Sequence, residues 1–187
     1  MRPVVLYIAT SLDGFIARED GSIEFLDPWA DGDYGYDRFY AGVDTLLIGG
    51  NTYRQALEFE EWPYDGKRVI VFTRHIPADG DERVEFVTND VAGFTRRLRA
   101  EDGKTIWLVG GAQIIGTLID ADLVDELIVS LVPIILGAGV PLVWPGERDV
   151  PLELVSSVDA DGGVVQMRYR VKHRPAAEPA EDEIEVD

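Results

Sequence analysis

Thr45-Leu46-Leu47-Ile48-Gly49-Gly50-Asn51-Thr52-Tyr53-Arg54 and Ile106-Trp107-Leu108-Val109-Gly110-Gly111-Ala112-Gln113 repeat one local event: an apolar run stops at a glycine pair and a helix-like stretch follows. Unbroken apolar residues suit a strand covered on both faces. A residue without Cβ lets the backbone turn tightly or approach a ligand. A helix starting there turns unpaired N–H groups toward whatever lies over the strand end, which is a phosphate-binding arrangement. Two copies predict a ligand with more than one anionic part. The alternative at each junction is close packing with no ligand.

Outward from these junctions the same strand-then-helix rhythm continues. Val4 to Ala9 reads as a buried opening strand running into Thr10-Ser11-Leu12-Asp13-Gly14-Phe15-Ile16-Ala17. Arg18 to Gly35 is loop-like, and a short helix is expected over Tyr36 to Tyr40, with Asn51 expected to cap the next one. Arg68 to Phe72 and Val84 to Val87 read as strands, and Asn89 or Asp90 can cap a helix presenting Val91, Phe94 and Leu98 on one face. After the second junction comes a helix from about Ala112 to Ile119, then a strand over Glu126 to Leu131. Leu152 to Val158 and Val164 to Val171 flank a turn at Asp159 to Gly163 and predict antiparallel edges. The sum is an α/β fold, three layers with a mostly parallel central sheet and antiparallel C-terminal edge strands. One domain over 1–173 is expected, and 174–187, rich in proline, alanine and acids, is expected to be a disordered acidic tail.

The 187 residues carry 17 basic and 35 acidic side chains, a formal charge of -18, and the excess is spread along the chain rather than confined to the tail. Such a surface repels nucleic acid and anionic membranes. Distributed acidity with only Lys67, Lys104 and Lys172 as lysines fits a very salty (halophilic) cytoplasm, where screening shrinks to roughly 3 Å or less. An acidic protein of an ordinary cell is the alternative. The absence of cysteine excludes disulfides and thiolate chemistry, and His75 and His173 alone make a histidine-held zinc improbable, so no metal is expected. The apolar run after Met1-Arg2-Pro3 is too short for a signal peptide, and no stretch matches a membrane span, so a cytoplasmic protein is expected.

Five motifs in order carry a family resemblance: Ser11-Leu12-Asp13-Gly14-Phe15-Ile16-Ala17, Leu47 to Tyr53, Val71-Phe72-Thr73-Arg74, Leu108 to Gln113, and Val132 to Leu142. Together they resemble the dihydrofolate reductase-like fold, and within it the reductase (C-terminal) domain of the bifunctional riboflavin biosynthesis deaminase/reductase, here standing alone. The resemblance implies a nicotinamide-dependent reductase using NADPH, with NADH open. It would reduce a C=N or C=O group of a small heterocycle, as 5-amino-6-(5-phosphoribosylamino)uracil reductase does. It places Gly110 and Gly111 at a tight junction, commonly with a cis bond between them, and gives N–H groups of Gly111, Ala112 and Gln113 to the pyrophosphate. Gly49, Gly50, Asn51 and Thr52 would hold a second phosphate region. Thr73 and Arg74 would meet the adenosine ribose and its 2′-phosphate, a salt bridge being the alternative for Arg74. Ala9 and Ile16 would border the nicotinamide.

Two departures stand out. Relatives often carry arginine where this chain has Gly50, so one phosphate-binding cation is missing unless Arg54 reaches in. Ile115 stands near where folate-reducing relatives place an aromatic ring. Asp33, Asp37 and Asp44 follow the first loop, but none matches a catalytic carboxylate cleanly. Asp13, with Ser11 beside it, is the candidate for contact with substrate, the alternative being an Asp-Gly turn that binds backbone. Val109 replaces the acidic residue of the riboflavin-pathway enzyme. A dihydrofolate reductase and a nonenzymatic dinucleotide-binding module remain alternatives. The apolar segment Ile134 to Val143 with Trp144 is either core or a subunit contact, and the resemblance implies a homodimer.

Overall fold

The computed structural model describes residues 1–144, 146 and 149–174. The expected tail lies outside them apart from Arg174, whose N–H donates to Asp122 at 3.1 Å. In chain order the strands are β1 (Val4–Ser11), β2 (Phe15–Ala17), β3 (Val43–Gly49), β4 (Arg68–Phe72), β5 (Val84–Val87), β6 (Thr105–Gly110), β7 (Glu126–Val132), β8 (Val140–Pro141), β9 (Leu152–Asp159) and β10 (Val165–Val171). The helices are α1 (Tyr36–Ala41), α2 (Gly50–Ala56), α3 (Val91–Ala100) and α4 (Ala112–Asp120), with 3-10 turns at Glu24–Trp29 and Asp161–Gly163.

Eight strands form one sheet in the order β5-β4-β3-β6-β1-β7-β10-β9. From β5 to β7 every pairing is parallel; β7-β10 and β10-β9 are antiparallel. The alternation of side chains across each strand separates two cores. Leu47, Ile70 and Leu108 turn toward Leu98 of α3 and Ile115 and Leu118 of α4. Leu46, Ile48, Val69, Val71 and Trp107 turn the other way, toward Tyr53 and Ala56 of α2 and the rings of Phe39 and Tyr40. Apolar runs without alternation therefore do mark strands covered on both faces.

Two ion pairs tie the N-terminal segment to this frame. The Arg2 guanidinium, 5 % exposed, pairs with Asp44 and donates to Thr45 Oγ1 at 2.7 Å. Arg99 at the end of α3 is 8 % exposed and donates to Asp125 Oδ1 at 2.7 Å, while the other Asp125 oxygen accepts the Val4 N–H at 2.7 Å. Asp90 caps α3 as expected, accepting the Gly93 N–H at 2.9 Å. Asn51 does not cap α2. Extended Gly49 (φ -81°, ψ 160°) holds the cap position, and Asn51 lies inside the first turn, accepting from Arg54.

Candidate functional site

The site begins where β1 loses a neighbour. β1 pairs with β7 from Val5 through Ser11, but with β6 only from Val4 through Leu6. Beyond Leu6 the strand is flanked on one side, and Tyr7, Ile8 and Ala9 become half-buried. The Tyr7 carbonyl, released from the ladder, accepts the Trp107 indole N–H at 3.1 Å, which satisfies a group that would otherwise be costly to bury. Because successive side chains alternate, Ile8 lines one cavity and Tyr7 and Ala9 another.

The first cavity, about 180 Å³, is lined by Gly110 and Gly111 and adjoins the place where the two glycine pairs meet. β3 and β6 are adjacent, with Ile48 opposite Gly110, so their C-terminal ends emerge side by side. A Cβ built on Gly49 would lie 3.7 Å from the Gly110 carbonyl oxygen; one on Gly111 would lie 3.8 Å from Thr52 Oγ1 and 4.0 Å from Gly49 Cα. Gly110 (φ 152°) and Gly111 (φ 42°, ψ 139°) both hold backbone conformations that side chains disfavour. The bond between them is trans, in contrast to the cis bond the resemblance implies; two positive-φ glycines in succession make the tight junction instead. Ile114 and Ile115 donate to the Gly111 carbonyl at 3.0 and 3.1 Å, and the N–H groups of Ala112 and Gln113 start α4 without a backbone partner among the described residues. Thr52, Gly110, Gly111 and Ile16 all line this cavity. Gly110 and Gly111 line it without Cβ atoms and α4 starts at the next residue, so neutral backbone N–H donors adjoin the cavity, a combination that fits a phosphate-bearing ligand without adding formal charge.

At the outer edge of the same region stand Gly50, Thr73 and two arginines. A Cβ on Gly50 would come within 3.0 Å of Thr73 Oγ1 and 3.8 Å of an Arg54 Nη atom. The space a larger residue would take at position 50 is thus bordered by Thr73 and by the Arg54 guanidinium. Thr73 Oγ1 is engaged with its own turn, donating to the His75 carbonyl at 3.1 Å and accepting the His75 N–H at 3.2 Å. Arg74 is exposed and has no salt bridge among the described residues.

Ser11 and Asp13 are brought together, but away from both cavities. Ser11 is fully buried; its hydroxyl donates to Asp13 Oδ1 at 2.7 Å and accepts the Phe15 N–H at 2.9 Å. Asp13 also accepts the N–H groups of Leu136 at 3.1 Å and Gly137 at 2.7 Å. Desolvation, the largest single contribution, opposes its ionisation, but the Leu136, Ser11 and Gly137 hydrogen bonds together outweigh it and hold the carboxyl below its usual pKa. The pair therefore clamps the β1–β2 turn to the loop before β8, which then adds a two-stranded sheet against β2. This goes beyond an Asp-Gly turn binding its own neighbours, and it commits the side chains expected to meet substrate.

The second cavity, about 630 Å³, is the feature that sequence reading missed. Its wall is the 3-10 turn Glu24–Trp29 and the segment leading to α1, which places Trp29, Tyr34 and Tyr36 opposite Tyr7 of β1 and Ser130 of β7. Phe25 anchors the wall, packing with Val132 and Val164, and the Trp29 indole donates to the Gly162 carbonyl at 2.9 Å. Tyr7 donates to the Tyr34 carbonyl at 2.8 Å, and burial pushes its phenol pKa up. Asp27, Asp31, Asp33 and Asp37 line the same cavity, all exposed at its mouth. Asp44 is elsewhere, paired with Arg2. Ile23 and Phe59 border both cavities, so the two open onto a common lip. A clue was available in the sequence: six aromatic residues lie from Phe25 to Tyr40 inclusive, a density unusual for a solvated loop.

Residues 2–166 match the model of the RibD C-terminal domain. The chain is 40% identical over 170 residues to the uncharacterized protein YwjB of Bacillus subtilis, a match covering 90% of this chain and 97% of that one. Among solved structures it superposes on a putative riboflavin biosynthesis protein from Shewanella sp. PV-4 with a TM-score of 0.81 and 29% identity, covering 91% and 99% of the two chains. It also superposes on a diaminohydroxyphosphoribosylaminopyrimidine deaminase/5-amino-6-(5-phosphoribosylamino)uracil reductase from Thermotoga maritima, with a TM-score of 0.70 at 19% identity. That match covers 91% of this chain and 57% of the longer one, and it shows a shared fold.

Proposed function

Because the chain belongs to the RibD C-terminal domain family, we propose that it is a nicotinamide-dependent reductase acting on a small heterocycle, with NADPH as its cofactor. The observation that carries this reading is the cavity lined by Gly110, Gly111 and Thr52 at the ends of adjacent parallel strands, with Gly49 packed against the Gly110–Gly111 backbone beside it. When bound, the nicotinamide would supply the hydride. Gly111, Ala112 and Gln113 would hold the pyrophosphate through backbone N–H groups, and Gly49, Gly50, Asn51 and Thr52 the region beside it. Thr73 and Arg74 are assigned to the adenosine ribose and its 2′-phosphate, with Arg54 as the cation replacing an arginine at position 50. Ile16 lines the first cavity and Ala9 the second, so the nicotinamide is assigned to the edge between them, where Ala9 and Ile16 border it. Holding a reactant beside the cofactor in fixed orientation is the main task left to the protein. Ser11 and Asp13 are assigned as positioning residues that fix the loop carrying Ile16.

The test is equilibrium titration with NADPH and NADH of the wild type, Arg74→Ala and Arg54→Ala. Wild type should bind NADPH more tightly than NADH, and each alanine should narrow that preference. Binding of neither nucleotide by the wild type overturns the reading; an unchanged preference in both variants removes the two arginines from the 2′-phosphate site.

Residues 1–173 are assigned to the reductase unit and 174–187 to an acidic tail. A homodimer is proposed through edge strand β9, where Leu154, Val155 and Val158 are 55%, 45% and 56% exposed on an unpaired edge. Light scattering on Val158→Lys should then report a monomer. Among the described residues no helix is long and apolar enough to cross a membrane and no side-chain group could hold a metal ion; a salty cytoplasm is the proposed setting.

A further inference from the structure

The second cavity has a composition that discriminates among heterocycles. Tyr7, Trp29, Tyr34, Tyr36 and Phe59 give it broad flat walls suited to a planar ring. Its charged lining residues are Asp27, Asp31, Asp33 and Asp37, with no lysine, arginine or histidine among the described residues that line it. None of the four carboxylates is in a salt bridge to a described residue. Among the described residues only the Asp33 carboxylate of the four has a hydrogen-bonded partner, the Gly35 N–H at 2.9 Å. Arg38 follows Asp37 on α1 and does not line the cavity. The exposed part of the lining therefore carries four negative charges with no cationic side chain beside them, and Asp33 also acts on the Tyr7 phenol.

A ribosyl phosphate attached to a ring stacked among these aromatics has two places to go. Inward it meets Ser130, Ala9, Val132 and Val164, which offer no cation. Outward it passes the four carboxylates. Phosphate recognition uses arginine forks, lysine or clustered N–H donors, and the lining provides none of the cationic groups. Like charges placed at a binding rim act as a filter against the wrong ligand.

We infer that the substrate half of this site takes a planar heterocycle that bears no phosphate, and rejects the phosphoribosyl form of the ring. The inference rests on the reductase reading for the assignment of this cavity to substrate.

The experiment is calorimetric titration of the full chain with 5-amino-6-(5-phosphoribosylamino)uracil and with the same compound after removal of the phosphate, at 0.1 M and 1 M NaCl. The ring without phosphate should bind at least tenfold more tightly at 0.1 M salt. The gap should shrink at 1 M, where the screening length falls from about 10 Å to about 3 Å. In Asp27→Asn/Asp31→Asn the gap should narrow at low salt. Both side chains are exposed and make no hydrogen bond or ion pair with a described residue, so a normal thermal melt confirms that the variant is folded. Equal or tighter binding of the phosphorylated compound, or a gap that neither salt nor the variant moves, overturns the inference. These titrations are made without nucleotide, and NADPH binding is measured separately. Failure of NADPH to bind removes the reductase reading while the charge filter stands or falls on its own result.

Discussion

Replacing Gly111 and Gly49 one at a time by alanine separates two explanations of the glycine junction, backbone conformation and crowding. Both substitutions put one methyl into the same place: the Gly111 methyl 3.8 Å from Thr52 Oγ1, the Gly49 methyl 3.7 Å from the Gly110 carbonyl oxygen. Both distances are ordinary contacts, so crowding alone predicts two mild and similar effects. Backbone conformation predicts a contrast. Gly111 has φ 42° and ψ 139°, a region where a side chain costs about 1–3 kcal/mol. Gly49 has φ -81° and ψ 160°, which any residue adopts, and alanine there stiffens the unfolded chain for a gain of about 0.4–1 kcal/mol. For a chain of this length 1 kcal/mol moves Tm by about 2–4 °C. Gly111→Ala should therefore melt roughly 2–12 °C lower than wild type, and Gly49→Ala level with it or up to about 4 °C higher. Differential scanning calorimetry reads both. In NADPH titration Gly111→Ala should lose affinity more than Gly49→Ala, because residue 111 lines the cavity and position 49 does not. Equal melting shifts for the two variants, or an unshifted Gly111→Ala, would refute the conformational argument.

Asp125→Ala strands the buried Arg99 guanidinium; breaking a buried pair costs ~3–5 kcal/mol, and the 26% exposure of the Asp125 side chain places the loss toward the lower end in urea unfolding. Asp81 accepts from Arg83 at 2.7 and 2.9 Å and from the Tyr53 hydroxyl at 2.7 Å, and the Arg83 hydrogen bonds hold its pKa well below the usual carboxylate range. A depressed pKa stabilises the fold above the unfolded value, about 4, and that contribution is lost as pH falls below it, so Asp81→Asn should flatten the acid limb of a stability profile. Burial pushes the Tyr64 phenol up to about 12, so the fold loses stability as pH rises from about 10 toward 12; Tyr64→Phe should show a smaller loss over that interval in alkaline melts.

The parallel frame was legible because its strands are covered on both faces: Leu46-Leu47-Ile48 and Val69-Ile70-Val71 alternate between the two cores while every member is apolar. The junctions were legible because glycine is demanded by backbone conformation at positions 110 and 111. What escaped depends on partners distant in sequence or on segments too short to show a period. Asp13 looks like an ordinary Asp-Gly turn until Leu136 and Gly137 are seen to donate to it. β2 and β8 have three and two residues, too few to show alternation. The aromatic wall of the second cavity was hidden among aspartates, glycines and Pro28, which read as solvated loop. Asn51 was misplaced because an extended glycine can cap a helix without contributing a side chain.

The division of charge across β1 bears on how so acidic a chain would hold an anionic cofactor. With a formal charge of -18, long-range repulsion opposes any phosphate-bearing ligand, whatever the local contacts provide. On the side of the glycine junctions the local groups are unpaired N–H donors and the exposed Arg74, with Arg54 beside Gly50. On the other side are four aspartates without a salt bridge to any described residue. Contacts at hydrogen-bonding distance are shorter than the screening length even at 1 M salt, about 3 Å, whereas the summed repulsion acts over ten or more ångströms and is screened away. Salt should therefore strengthen NADPH binding between 0.1 M and 1 M, opposite in sign to its usual effect on a basic phosphate site. The expected slope of log affinity against log salt is positive for wild type and more positive for Arg74→Ala, which removes an attraction that salt weakens. A negative slope in wild type would mean that the two arginines outweigh the acidic surface, and the balance of charge argued for this fold would be wrong.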